Sequence, residues 1–188
     1  MAVNEALLVM DMQVGIVDRL GDRADDILAN VGAALSAARE HGLAVVFVRV
    51  AFRDGAPEIS SNNKAFSSAP LSQSLGETNP ATQIHPMLAP RDGEVLVTKR
   101  RVSAFAGSDL DVVLRSLGVD SLVLTGLATS GVVLSTTRQA ADLDFRLTIL
   151  RDACADADDE VHRVLTEKVF PRQATVVTTA EWVAAFNN

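Results

Sequence analysis

The chain has one cysteine among its 188 residues, Cys154, so no disulfide can form within it, and its composition fits a reducing compartment. No apolar run approaches the roughly 18 residues that a membrane-spanning helix requires. Residues 1–5 carry no basic stretch and no small-residue cleavage pattern, so a cytoplasmic location is expected, with no membrane partner. Cations are in the minority, 17 Lys and Arg against 24 Asp and Glu for a net charge of -7, and they form no stripe. A nucleic-acid surface is therefore not expected. His41, His85 and His162 share no ligand-type spacing, and neither a metal nor another cofactor is expected.

What is present is length and pattern enough for one domain over residues 1–188 with a continuous core. Apolar runs bounded by Gly, Asp or Asn recur at 6–10, 43–50, 95–98, 121–125, 146–150 and 175–178, and read as buried parallel strands. Helical periodicity fills 25–41, 109–117, 130–143 and 160–170 between them, with Gly42 and Gly118 placed as C-caps directly before strands. The alternation predicts an α/β fold: a three-layer α/β/α domain whose Rossmann-like parallel sheet of about six strands runs in the order 3-2-1-4-5-6. The crevice then lies between strands 1 and 4. The exception is an irregular connection at 51–91, rich in Ser, Asn, Pro and Gly, of a length usually reserved for function or a subunit contact. With the apolar C-terminal residues Trp182, Val183, Ala185 and Phe186, it suggests cover by a second copy, as a homodimer or higher homo-oligomer.

Three places put chemistry-bearing groups at the carboxyl edge of that sheet. Asp11 follows ALLVM and Lys99 follows EVLVT. An aspartate there either caps the next turn or joins a site, and a lysine is either simply solvated or aimed at a ligand. In SLVLTGLATSGVVLSTTRQA, residues 121–140, an apolar strand runs through a tight small-residue turn into a helix from about Ser130. Such an elbow can turn backbone N–H groups toward a ligand. The hydroxyls of Thr129, Ser130, Ser135 and Thr136 suit capping and bonds back to carbonyls, and no histidine base adjoins them within the motif. Phe105 is either an apolar pocket wall or a packed core aromatic; Arg100 and Arg101 belong at a rim or interface.

These stretches resemble, in order and spacing, the isochorismatase-like (cysteine hydrolase) family over residues 6–186. ALLVMDMQVGIV is similar to its first motif, KRRVSAF to its K-x-x-x-S-A-F, and TGLATSGVVLSTTR to its T-G-x-A-T-x-x-C-V-x-S-T-x-R. The resemblance implies Asp11 as general acid/base with Gln13 nearby, and Lys99 as a second catalytic residue. It also implies a non-proline cis peptide at Leu127–Ala128 and an anion-binding pocket from the amides of Ala128 and Val132. The departure is at the nucleophile, where the family's cysteine position holds Val132. Cys154, in ILRDACAD, falls where the family has a structural stretch, and the metal set of the related nicotinamidases is replaced by RVAFRDG.

Valine cannot form the thioester through which the family hydrolyses amides. The family's other chemistry, vinyl ether hydrolysis, needs no covalent intermediate: an acid protonates the enol ether and water captures the oxocarbenium ion. Asp11 must then start protonated, in a dry pocket. Valine is bulkier than the glycine often found at this position, which argues for a substrate smaller than isochorismate or of another shape. The expected site is Asp11 and Lys99 for catalysis, with Gln13, Phe105, Ala128 and Val132 against a small-molecule substrate. Two other readings stay open: an inactive member that binds a small molecule or protein partner, and an amidohydrolase that recruits Cys154 or a serine.

Overall fold

The computed structural model describes residues 4–67 and 74–187. Residues 1–3 and 68–73, parts of the leader and long-connection readings, lie outside them. Six parallel strands form one sheet in the order β3-β2-β1-β4-β5-β6. They are β1 Glu5–Met10, β2 Ala44–Val50, β3 Val95–Lys99, β4 Ser121–Leu127, β5 Arg146–Ala155 and β6 Thr175–Val177. The expected order and switch point are those observed. β1 shows why the signal was clear: Ala6, Leu8 and Met10 enter one core cluster, Leu7 and Val9 the other. A strand buried on both faces reads as an unbroken apolar run.

Helix α1, Ala24–Glu40, packs on one face of the sheet through Leu28, Val31 and Leu35. Helices α2, Leu110–Ser116, and α3, Leu134–Asp142, cover the other through Leu110, Leu114 and Ala140. α4, Asp159–Val164, continues through wide and tight turns to Arg172, and α5 is Thr179–Ala184.

Three expectations change in detail. β4 and β5 run on to Leu127 and Ala155, because a register shift between Leu124 and Gly126 lets the pairing resume as Gly126 with Cys154 and Leu127 with Ala155. The helix expected from Ser130 begins at Leu134; before it, Thr129–Val133 form a wide turn in which Gly131 lies outside helical space at φ -95°, ψ -105°. The C-terminal apolar run is in part covered by the chain itself. Trp182 is buried in the α1-side core, Phe186 packs on it at 5.0 Å, and the Phe186 ring stacks on His41 at 4.2 Å.

The connection at 51–91 has a small core of its own. Val50, Phe52, Phe66 and Leu75 cluster, with the two phenyl rings edge to face at 5.3 Å. Phe52 N–H donates to the Leu75 carbonyl and Glu77 N–H to that of Phe52, while His85 N–H donates to Met12. This segment therefore closes over the carboxyl ends of β1 and β2.

Candidate active site

The strand order sets the carboxyl ends of β1 and β4 side by side, with β3 two places from β1. Asp11 leaves β1 at φ 54°, a left-handed conformation that aspartate tolerates better than most residues, and its N–H donates to the Val48 carbonyl at 2.8 Å. Lys99 is the last residue of β3, in register with Val50 of β2. Its side chain crosses the end of β2, so Nζ lies 3.0 Å from Asp11 Oδ2 and donates to the Arg101 carbonyl at 2.9 Å. The pair is shut away from solvent, Asp11 being 5% exposed and Lys99 1%.

Asp11 Oδ1 is buried and has no hydrogen-bond partner. A carboxylate is an acceptor on both oxygens, and a bare one in the interior costs on the order of 1–3 kcal/mol or more. Protonation relieves that cost. Burial accordingly pushes the Asp11 carboxyl above the usual aspartate range; the Lys99 ammonium, and to a lesser degree the Val50 backbone N–H, oppose the shift without cancelling it.

Gln13 was expected against substrate, but its amide is spent on the chain's own backbone. Nε2 donates to the carbonyls of Val50 and Thr82, each at 3.0 Å, and Oε1 accepts from Val50 N–H at 2.8 Å. It clamps the end of β2, over which Lys99 passes, to the long connection.

The elbow requires glycine at its entrance. Gly126 has φ 147°, and a Cβ there would stand 2.3 Å from the Met10 carbonyl oxygen. The Leu127–Ala128 peptide that follows is cis. Behind the turn, Ser130 N–H donates to Asp156 Oδ2 at 2.7 Å, and Thr129 Oγ1 lies 2.8 Å from His162 Nδ1 of α4. Burial alone would push the Asp156 carboxyl up, yet the N–H groups of Ser130, Asp158 and Ala157 hold it below the usual range. Neither the turn nor α3 has a side-chain N-cap, contrary to the capping expected of these hydroxyls. Thr136 Oγ1 instead accepts from Ala104 N–H at 2.9 Å, and Ser103 Oγ donates to Gln139 at 2.7 Å, which fastens the Ser-Ala-Phe loop after Lys99 to α3. Asp156 and His162 were not anticipated as supports of the elbow, since both come from the β5–α4 region, far along the chain.

Val132 is 2% exposed and belongs, with Phe105, to the core cluster on the α2 and α3 side. Phe105 meets Phe145 at 6.0 Å, the contact of a core aromatic. Cys154 is buried in β5 with Sγ 4.0 Å from the Leu124 carbonyl oxygen, and burial pushes its thiol up to about 12. A thiolate is not available there at neutral pH. Among the described residues no group of three or more His, Cys, Asp or Glu could hold a metal ion, and no helix is long and apolar enough to cross a membrane.

The isochorismatase domain pattern matches residues 5–181. An uncharacterized isochorismatase family protein of Bacillus subtilis, YwoC, is 36% identical over 180 residues, covering 95% of this chain and 92% of its own. The ureidoacrylate amidohydrolase RutB of Stutzerimonas stutzeri is 31% identical over 180 residues, covering 85% and 73%. Among solved structures, an isochorismatase family protein from Burkholderia thailandensis superposes with a TM-score of 0.88 at 28% identity, covering 100% of this chain and 98% of that one.

Proposed function

The chain belongs to the isochorismatase family, and we propose that it is a hydrolase that cleaves a small enol ether without a covalent intermediate, with Asp11 as proton donor and Lys99 as its charged partner. The observation that carries this reading is the state of Asp11: one oxygen paired with Lys99 at 3.0 Å, the other buried and bare. A carboxyl held in that way has its pKa raised by burial, as an acid that must begin protonated requires.

The step balances as follows. The Asp11 proton goes to the β-carbon of the enol ether, the double bond becomes a C–H bond, and an oxocarbenium ion forms. The Lys99 ammonium stabilises the carboxylate left behind, and that carboxylate faces the new positive charge. Water adds its oxygen to the cation and returns one proton to Asp11. The hemiketal then breaks to a ketone and an alcohol. The amides of Ala128 and Val132 orient the polar end of the substrate, while Val132 and Phe105 keep the surroundings apolar.

Hydrolysis through a thioester, the family's amide route, finds no attacking atom at Val132, and the thiol of Cys154 lies within the sheet. The experiment is a turnover screen of small enol ethers with the intact protein and with Asp11→Asn. The variant should fold and lose at least the roughly hundredfold typical of a missing general acid. Turnover unchanged in Asp11→Asn would leave a non-catalytic binding protein as the better account.

A further inference from the structure

The elbow is gripped from behind at two consecutive residues. Asp156 takes the N–H of Ser130 and His162 meets the hydroxyl of Thr129, both within 2.8 Å. Thr129 is completely buried, and a hydroxyl has a single proton to place. His162 is half-buried and lines a cavity of about 290 Å³ between α1, the end of β5 and α4. The exposed side chains of Arg23 and Asp159 also line that cavity, and through it the imidazole can exchange protons with solvent.

We propose that His162 is a positioning residue for the elbow, and that through the Thr129 hydroxyl its protonation state sets the polarity of the turn over Thr129–Val133. With Nδ1 unprotonated, the Thr129 hydroxyl donates to the ring. With a second proton on the imidazole, Nδ1 becomes the donor and the Thr129 proton must turn toward the elbow. The contact persists in both states, so the turn changes polarity without coming apart.

The groups that face the ring pull its titration in both directions. Asp156 at the end of β5 and Asp159 on α4 favour its charge. Arg23, just before α1, opposes it; Arg23 itself is paired with Asp159 and donates to the Asp156 carbonyl at 2.9 Å. Asp152, which accepts from Thr179, with Arg151 and Asp26 completes the charged lining. Burial is the largest influence and holds the imidazole below its usual value, which favours the neutral ring, in which Nδ1 can accept from Thr129.

The inference rests on the reading of the elbow as part of the active site, but its test does not use turnover. In the intact protein, the His162 ring proton signal and the backbone amide signals of residues 128–133 are followed by NMR against pH. The amides should shift with the midpoint of the His162 ring. In His162→Gln, whose amide oxygen can still accept from Thr129, those amide signals should stay dispersed and that titration should vanish. Elbow amides that stay flat while the His162 ring titrates would overturn the proposal, as would a titration that survives in His162→Gln. The wild-type measurement decides the matter even if the variant does not fold, and loss of the Asp11 mechanism would leave this coupling intact.

Discussion

Replacing Lys99 by methionine keeps most of the side-chain volume and removes the ammonium paired with Asp11. Asp11 would be left in the interior without its ion pair, and with Oδ1 already lacking a hydrogen-bond partner. Kept ionised, a buried charge that has lost its partner costs roughly 3–5 kcal/mol. Taking up a proton instead costs about 4 kcal/mol at pH 7, because a reference pKa near 3.9 must be overcome at 1.36 kcal/mol per unit. The protein takes the cheaper route, so about 4 kcal/mol bounds the loss at neutral pH. Its sign with pH follows from the raised folded-state pKa: stability is fully present below the unfolded value near 4 and falls as pH rises toward the folded value, by up to about 1.4 kcal/mol per unit. Wild type has a smaller shift because Lys99 opposes it. The difference between the two proteins should therefore widen with pH, read as urea midpoints between about pH 5 and 8. Asp11→Asn combined with Lys99→Met should recover most of the loss and remove the widening. A penalty for Lys99→Met that is equal at both ends of the range would refute the buried-acid reasoning.

The other expectations concern the elbow and the thiol. Gly126→Ala should destabilise by more than about 3 kcal/mol in chemical denaturation, since its Cβ would meet the Met10 carbonyl oxygen at 2.3 Å in a backbone conformation that side chains rarely adopt; a near-neutral result would mean β1 and β4 are free to part. Folded protein should resist alkylation of Cys154, whose thiol is buried and pushed up to about 12, and Cys154→Ala should cost about 1–2 kcal/mol without loss of turnover. Val132→Cys should bring amidase activity on small primary amides, because it restores the family's nucleophile beside an otherwise complete elbow; no gain over wild type would place that position out of reach of Asp11 and Lys99.

The fold was legible because its central strands are buried on both faces and two of its helices, before Gly42 and Gly118, end on glycine, signals that local periodicity carries. Asp11, Lys99 and the elbow were legible as strand-end positions, and strand order alone brings the first and last of them together. How Lys99 reaches Asp11 was not, since it depends on a four-carbon side chain crossing the end of β2. The partners of Gln13 were not legible for a related reason: an amide's partners, here Val50 and Thr82, depend on where a distant loop returns. α5 went unread although Thr178 and Glu181 form a capping box, a signal open to sequence inspection. The supports from Asp156 and His162 lie 26 and 33 residues from their partners, beyond any local pattern.

The ion pair itself argues about what this site is kept for. Burying a lysine and an aspartate together is a poor way to hold a strand end, because desolvation consumes most of the attraction, and well-packed apolar residues in the same places are often as stable or better by roughly 1–4 kcal/mol. Gln13 and the loop core already fasten that end of β2 by three hydrogen bonds and the Phe52–Phe66 cluster. Packing therefore gives no reason for the pair, and still less for an arrangement that leaves Asp11 Oδ1 without a partner. If Val132 holds the nucleophile's place, as the motif resemblance implies, a thiol to be activated is not the reason either. On the proposed function, a carboxyl of raised pKa beside a fixed cation gives up a proton and takes it back, a step that needs no nucleophile at Val132.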